Sequence, residues 1–122
     1  MTPDTLLLRQ VHPNFCQAGR ITSQAFRPTP KDEQMLSVDN GDCIQAQAAW
    51  QRFVSNPACQ SIGVAAVSQS ECLAQALPVV EDGHPYPEHC SIDFSGLDKK
   101  DIERKAKVLA RQAQDRGWQF LA

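Results

Sequence analysis

The sequence predicts an α+β protein with a mixed, mainly antiparallel sheet of five to six short strands and three helices, in the order β-β-β-α-β-α-β-β-α. Short apolar runs bounded by turn residues recur along the chain, as expected of strands. Three other segments place apolar residues at helical spacing behind cap residues. A chain of 122 residues, 42% of them apolar, is the size of one ordinary domain, so residues 1–122 are expected to form a single globular unit with the helices mostly on one face.

The strands are predicted from local pattern alone. Residues 5–11 form an apolar run that ends at a His-Pro-Asn turn. Residues 20–26 follow a glycine and are interpreted as the second arm of a hairpin, and residues 35–38 as a third short strand. Residues 61–67 are almost continuously small and β-branched, which is typical of a strand buried on both faces.

The first two helices are predicted from their caps. Asp42 is expected to cap the first helix, with Gln45 completing a capping box, and a second box at residues 68–71 opens the next helix. The first helix has one apolar stripe, whose aromatic members are expected to anchor the core. That stripe consists of Ala46, Ala49, Trp50, Phe53 and Val54.

The third helix has the strongest local signals. Asp98 is its predicted N-cap, Leu97 and Ile102 form a hydrophobic staple, and Gly117 ends it. Its apolar stripe comprises Ile102, Ala106, Leu109, Ala110 and Ala113.

The opposite face of this helix is basic. Residues 98–116 carry seven Lys or Arg against four Asp or Glu, which leaves five against ten in the rest of the chain. A basic face of this kind indicates that the helix binds an acidic protein surface or nucleic acid. The alternative is an ordinary solvated face with intrahelical pairs such as Asp101 with Lys105. The basic residues at helical spacing are Lys100, Arg104, Lys107 and Arg111.

Cysteine usage and the absence of targeting signals indicate a cytoplasmic protein. The five cysteines are an odd number without a Cys-x-x-Cys pair, which favours reduced thiols. The N-terminus lacks the basic start of a signal peptide. No apolar run approaches the roughly 18 to 20 residues that cross a bilayer, so no membrane partner is expected.

The stretch from residue 79 to residue 94 is the first place to look for a chemical site. It holds two of the three histidines, and it contains two prolines spaced so that no helix forms between them. His84 or His89, beside a carboxylate of the turn, has the residue types of a general acid or base. In that hypothesis His12 belongs to the same cleft, and Arg9 or Arg20 holds an anionic substrate.

A zinc site is a further possibility. His12 and Cys16, brought against His84 or His89 and Cys90, would give zinc a chemically sensible ligand set, although their spacing matches no standard finger. A polar turn that only connects two strands is the simplest alternative.

The favoured function is that of a small, non-catalytic cytosolic protein, bacterial in character, which binds a macromolecular partner. The sequence contains no phosphate loop, dinucleotide fingerprint or nucleophile elbow, so no cofactor is expected. A protein partner is preferred and nucleic acid is the alternative, with the basic helix and the Pro-rich turn of residues 83–88, which includes Tyr86, as contacts. A small hydrolase or transferase and a zinc-stabilised module remain open, and so does pairing of two copies at a sheet edge.

Overall fold

The computed structural model describes residues 1–122, the side chain of Asp32 excepted, and it confirms the α+β class and the order of elements. Over these residues the strands are β1 (Leu6–Val11), β2 (Cys16–Gln17), β3 (Arg20–Ile21), β4 (Met35–Asn40), β5 (Gly63–Ser68), β6 (Val79–Val80), β7 (His89–Asp93) and β8 (Phe120–Leu121). The helices are α1 (Ala46–Val54), α2 (Gln69–Ala74) and α3 (Lys99–Arg116), with 3-10 helices at Pro13–Phe15, Ser23–Phe26 and Pro30–Asp32.

Six strands form one sheet in the order β6-β7-β4-β1-β5-β8, and each paired neighbour runs antiparallel. The predicted hairpin between residues 5–11 and residues 20–26 is wrong, because β4 and β5 occupy both edges of β1. Within residues 20–26 the only strand is β3, which pairs with β2 in a separate two-stranded sheet, and Thr22 is the extended N-cap of the helix that follows. The rest of that segment is the 3-10 helix that buries Ala25 and Phe26.

The sheet has a core on each face, because successive strand residues point in opposite directions. Ala65 belongs to the larger core, which also holds the apolar stripe of α3 and Cys72 of α2. Ala66 belongs to the smaller core, where it packs with Ala49 of α1. Two helices therefore cover the first face, and α1 lies on the second.

The caps of α2 and α3 agree with the sequence. Ser68 and Glu71 form the reciprocal capping box of α2. Asp98 caps α3 by accepting a hydrogen bond from the main-chain N–H of Asp101, and Gly117 follows the helix with a φ of 92°. The predicted pair between Asp101 and Lys105 is wrong: Asp101 pairs with Arg104, at 3.3 Å.

Lys105 is turned inward, since its ammonium donates to the main-chain oxygen of Gln75. The apolar stripe predicted for α3 is buried throughout.

The start of α1 differs from the prediction. Asp42 accepts a hydrogen bond from the hydroxyl of Thr5 at 2.5 Å and does not cap the helix. Gln45 takes the N-cap position without a side-chain bond. Ala49 is the buried residue of α1, whereas Trp50 and Phe53 are half-buried, because this helix covers only part of the second face.

The edge of β5 is covered by β8, which the sequence did not predict. All six residues of β5 are buried, as expected for a strand with both faces covered. A Cβ on Gly63 would lie 2.5 Å from the main-chain oxygen of Phe120, so only glycine allows β8 to approach this closely.

None of the helices among the described residues has both the length and the apolar character needed to cross a membrane.

Candidate functional site

A cavity of about 520 Å³ lies on the second face of the sheet, between the C-terminal half of α1 and the strands. The Pro-rich turn between β6 and β7 closes one side of it. The residues from the sheet are Leu8, Arg9, Gln10, Ser37, Val38, Asp39 and His89. The remaining walls comprise Ala49, Arg52, Phe53, Asn56, Ala58, Cys59, Gln60, His12, Phe15, Pro85 and Tyr86.

The cavity lies beside the point where β1 and β4 separate. Their register consists of Leu7 opposite Asn40 and Leu8 opposite Asp39, although both strands continue further. Arg9 bridges the opening, since its guanidinium donates to the main-chain oxygen of Ser37 at 2.9 Å and to that of Ala25 at 2.7 Å. The separation of two central strands thus provides room for a ligand between the sheet and α1.

Arg52 of α1 joins the helix to the sheet and the turn. Its guanidinium pairs with Asp39 at 3.1 Å, donates to the carboxylate of Glu88, and lies over the ring of Tyr86. Burial raises the pKa of Asp39, and the opposing charge of Arg52 only partly offsets this effect. The hydrogen bond from Arg52 lowers the pKa of Glu88. The positive charge of Arg52 is therefore already matched by two carboxylates.

His89, the first residue of β7, is held by Asp82. Its Nδ1 lies 2.6 Å from Oδ1 of Asp82, while the hydroxyl of Ser91 donates to Oδ2 at 2.6 Å. Burial alone would raise the pKa of Asp82, but these two hydrogen bonds and one from the main chain of His84 act against burial, and the pKa is lowered. An ionised Asp82 accepts the proton on Nδ1, so the neutral His89 ring presents Nε2 as an acceptor.

His12 has the opposite arrangement. Its Nδ1 accepts a hydrogen bond from the main-chain N–H of Asn14 at 3.0 Å, so the neutral ring carries its proton on Nε2. The ring packs against Phe15, with centroids 5.5 Å apart. One cavity is therefore lined by one histidine with a donor Nε2–H and another with an acceptor Nε2.

Gln10 adds an unused acceptor to the cavity wall. Its Oε1 is buried and has no hydrogen-bond partner among the described residues. A buried carbonyl oxygen without a partner costs about 1 to 3 kcal/mol, which a ligand carrying an N–H or O–H group would recover.

Four of the residues singled out from the sequence meet in this cavity: Arg9, His12, Tyr86 and His89. His84 is exposed on the turn and Arg20 is exposed on β3, and neither lines the cavity. The four basic residues on the outer face of α3 are exposed, unlike Lys105, but α3 lies on the other face of the sheet. The Pro-rich turn and the basic helix therefore form two separate surfaces. Those basic residues are Lys100, Arg104, Lys107 and Arg111.

The residues considered for zinc do not converge. Among the described residues, no group of three or more His, Cys, Asp or Glu is arranged to hold a metal ion. Cys90 points into the larger core, and burial raises the pKa of its thiol to about 11. Cys16 packs against the same core, whereas His12 lines the cavity.

Sequence reasoning missed Arg52, Asp39 and Gln10. Arg52 is off the apolar stripe of α1, so the helical pattern assigns it to solvent. The one available signal is the turn itself, whose carboxylates at residues 81, 82 and 88 have no cation nearby in sequence. Such a cluster needs a partner from elsewhere in the chain when it is partly buried.

Comparison with protein families, characterised proteins and solved structures finds no match to this chain.

Proposed function

We propose that this protein functions by binding a ligand in the cavity between α1 and the sheet. The supporting observation is that two distant parts of the sequence line one cavity of about 520 Å³, one contributing Arg9 and His12 and the other Tyr86 and His89. Pockets of this size, with apolar walls and a few converging polar groups, are the usual form of small-ligand sites. We also propose a cytoplasmic location, because the five free thiols stay reduced in that compartment.

The hydrogen-bonding groups define the ligand. His12 offers a donor, and both His89 and the unpartnered Oε1 of Gln10 offer acceptors. The half-buried ring of Phe53 and the exposed ring of Tyr86 supply flat apolar surface. The complementary ligand is therefore a flat apolar group that carries a carbonyl oxygen and at least one N–H or O–H. Benzamide is a small probe that has all of these features.

Binding of benzamide is measured by NMR titration of the ¹⁵N-labelled protein. We expect shift changes at the amides of Arg9, Asp39 and His89, and none along the exposed face of α3. Changes spread evenly over the surface, or no changes at millimolar probe, would contradict the proposal.

A matched pair of variants separates binding from stability. Gln10 and Gln112 each have a buried Oε1 without a partner among the described residues, but only Gln10 lines the cavity. Gln10→Leu and Gln112→Leu both remove such an oxygen, so neither should lower the free energy of unfolding by more than about 0.5 kcal/mol. We expect only Gln10→Leu to weaken benzamide binding. Equal affinity in the two variants would remove Gln10 from the site.

The exposed face of α3 supports a second candidate function, the binding of an acidic protein surface. Lys100 and Arg111 stand about 16 Å apart along the helix at its regular rise. Of the four cations, Arg104 pairs with Asp101, and the other three form no salt bridge with the described side chains. A stripe of this kind complements carboxylates and speeds association at low salt.

A polyglutamate peptide tests the second candidate. We expect its binding to be lost in the double variant Arg104→Glu and Lys107→Glu, and retained in the control Arg20→Glu and Lys31→Glu, which makes the same charge change at exposed positions that do not belong to α3. Equal losses would mean that only net charge matters. Preferential binding of a single-stranded oligonucleotide to the same face would instead favour nucleic acid as the partner.

A further inference from the structure

We infer that the cavity hydrolyses small carboxylic esters, with His89 as the general base and His12 as the donor that stabilises the oxyanion. This inference rests on the proposed function, because it requires the ligand to occupy the same cavity. It adds a reaction to what would otherwise be a binding site, and it assigns that reaction to two histidines whose hydrogen bonds give them opposite roles.

Asp82 fixes the orientation of the His89 ring. Both oxygens of Asp82 are engaged, one by Nδ1 of His89 and the other by the hydroxyl of Ser91, each at 2.6 Å. A carboxylate held at both oxygens cannot rotate away from the imidazole. The ring is therefore fixed in the tautomer that leaves the lone pair on Nε2, which is the arrangement that acid–base enzymes use to prepare a histidine.

His89 lies on the wall of the cavity. It lies opposite Asp39 in the register of β4 and β7, on the face of the sheet that the cavity covers. Its side chain is 14% exposed. Since Asp82 occupies Nδ1, Nε2 is the nitrogen available to a water molecule or ligand in the cavity. His84, on the same turn, lies outside the cavity and has no comparable arrangement.

His12 supplies a hydrogen-bond donor to the same cavity. With Nδ1 accepting from the main chain, this ring is a neutral donor through Nε2–H and a poor proton donor, because losing that proton would leave an imidazolate. A neutral imidazole in this state stabilises a developing oxyanion by hydrogen bonding.

The charges of the cavity favour an acyl group over a phosphoryl group. Arg52 is matched by Asp39 and Glu88, so it offers little net charge to a dianionic phosphate. Arg9, the other arginine of the cavity, already donates to two main-chain oxygens. One oxyanion, as in a tetrahedral acyl intermediate, requires one or two donors, and the Nε2–H of His12 is suited to that role.

The reaction consumes one water molecule. His89 Nε2 takes a proton from water as the water oxygen bonds to the acyl carbon, and the carbonyl electron pair moves to the oxygen that His12 stabilises. The intermediate collapses, the bond from the acyl carbon to the alkoxy oxygen breaks, and His89 returns its proton to the departing oxygen. The products are a carboxylic acid and an alcohol, and both histidines regain their starting states.

The experiment measures the release of nitrophenol from p-nitrophenyl acetate and p-nitrophenyl butyrate. We expect a protein-dependent rate that falls by about 100-fold in His89→Ala, the usual contribution of a general base. The matched control His84→Ala, which removes an exposed histidine from the same turn, should keep the full rate. Equal losses in the two variants would indicate hydrolysis by surface imidazole, and no protein-dependent rate would also overturn the inference.

Asp82→Asn tests the positioning role of the carboxylate. We expect the His89 proton to move from Nδ1 to Nε2, as read from ¹⁵N chemical shifts, and the hydrolysis rate to fall by at least about 10-fold. A merely structural role would lower the thermal midpoint and leave the tautomer unchanged. His89→Gln provides a second test if His89→Ala does not fold.

The two proposals can fail separately. Benzamide binding without His89-dependent hydrolysis would overturn the catalytic inference and leave the binding site in place. Hydrolysis that depends on His89 without benzamide binding would instead overturn the ligand proposed above.

Discussion

The guanidinium carbon of Arg52 lies 3.7 Å from the centroid of the Tyr86 ring. This stacking joins α1 to a turn that is 34 residues away in sequence, and it occurs while the same guanidinium pairs with Asp39 and Glu88. Arginine suits such a position because its planar group can stack and donate several hydrogen bonds at once. Arg52 therefore connects α1 to both the sheet and the turn at one side of the cavity.

Replacing Arg52 by methionine should lower the free energy of unfolding by about 2 kcal/mol. The substitution removes the stacking and leaves Asp39, which is half-buried, without its cation. Urea denaturation measures the change. Arg104→Met is the matched control: Arg104 is 61% exposed in its pair with Asp101, so its loss should cost no more than about 0.5 kcal/mol. Similar losses for the two variants would contradict the proposed importance of Arg52.

Replacing Glu71 by glutamine should lower stability at pH 7 and have little effect in acid. Burial alone would raise the pKa of Glu71, but hydrogen bonds from Arg116 and the main chain of Ser68 lower it below its ordinary value of 4.5. At pH values between the folded pKa and 4.5, the unfolded chain therefore binds more protons than the folded chain. The stabilisation that ionised Glu71 contributes is present above pH 4.5 and is lost as the pH falls through the folded pKa. We expect a difference of about 1 kcal/mol at pH 7.

Thermal unfolding of both proteins across the acid range provides the measurement. The two stability curves should converge as the pH falls below 4.5, the ordinary pKa of this carboxyl group. A constant difference down to pH 2 would mean that the glutamine changes packing and not charge.

Replacing Leu109 by alanine should cost about 3 kcal/mol, because this side chain is fully buried between α3 and the sheet. Leu73→Ala makes the same chemical change on α2, where the side chain is 53% exposed, and should cost less than about 0.5 kcal/mol. Guanidinium denaturation distinguishes the two. A small effect at Leu109 would mean that α3 does not pack on the sheet as described.

The elements that the sequence predicts well are those whose signals lie within a few residues. Asp98, the α3 stripe and Gly117 specify one helix without reference to the rest of the chain, and residues 68–71 specify the start of another. The fold class follows from the order of such segments. Strand pairing does not: β1 pairs with two strands distant in sequence, while the nearby segment at residues 20–26 forms a 3-10 helix.

The cavity is harder to predict for the same reason. His89 and the carboxylates of the turn are recognisable as a possible site because they are neighbours in sequence. The contributions of Arg52 and Gln10 arise only when α1 and β1 meet across the sheet. Asp42 illustrates the opposite error, since a local cap pattern was overridden by a hydrogen bond from Thr5, 37 residues away.

The cysteines should differ sharply in alkylation. Burial raises the pKa of Cys72 to about 12 and that of Cys90 to about 11, so almost no thiolate forms at pH 8. Cys43 is exposed and open to reagent. Mass spectrometry after a short iodoacetamide treatment should find Cys43 modified well before the two buried thiols. Early modification of Cys72 would mean that α2 opens readily from the core.

The pairing of β8 with β5 also bears on self-association. Without Phe120 and Leu121, β5 would present an uncovered edge made of small and β-branched residues, which is the kind of edge that pairs with other chains. Loss of these two residues would then raise the tendency to aggregate, in addition to removing the packing of Phe120 against Trp50. By pairing with β5, the short β8 strand thus keeps the most apolar strand of the sheet from pairing with other chains.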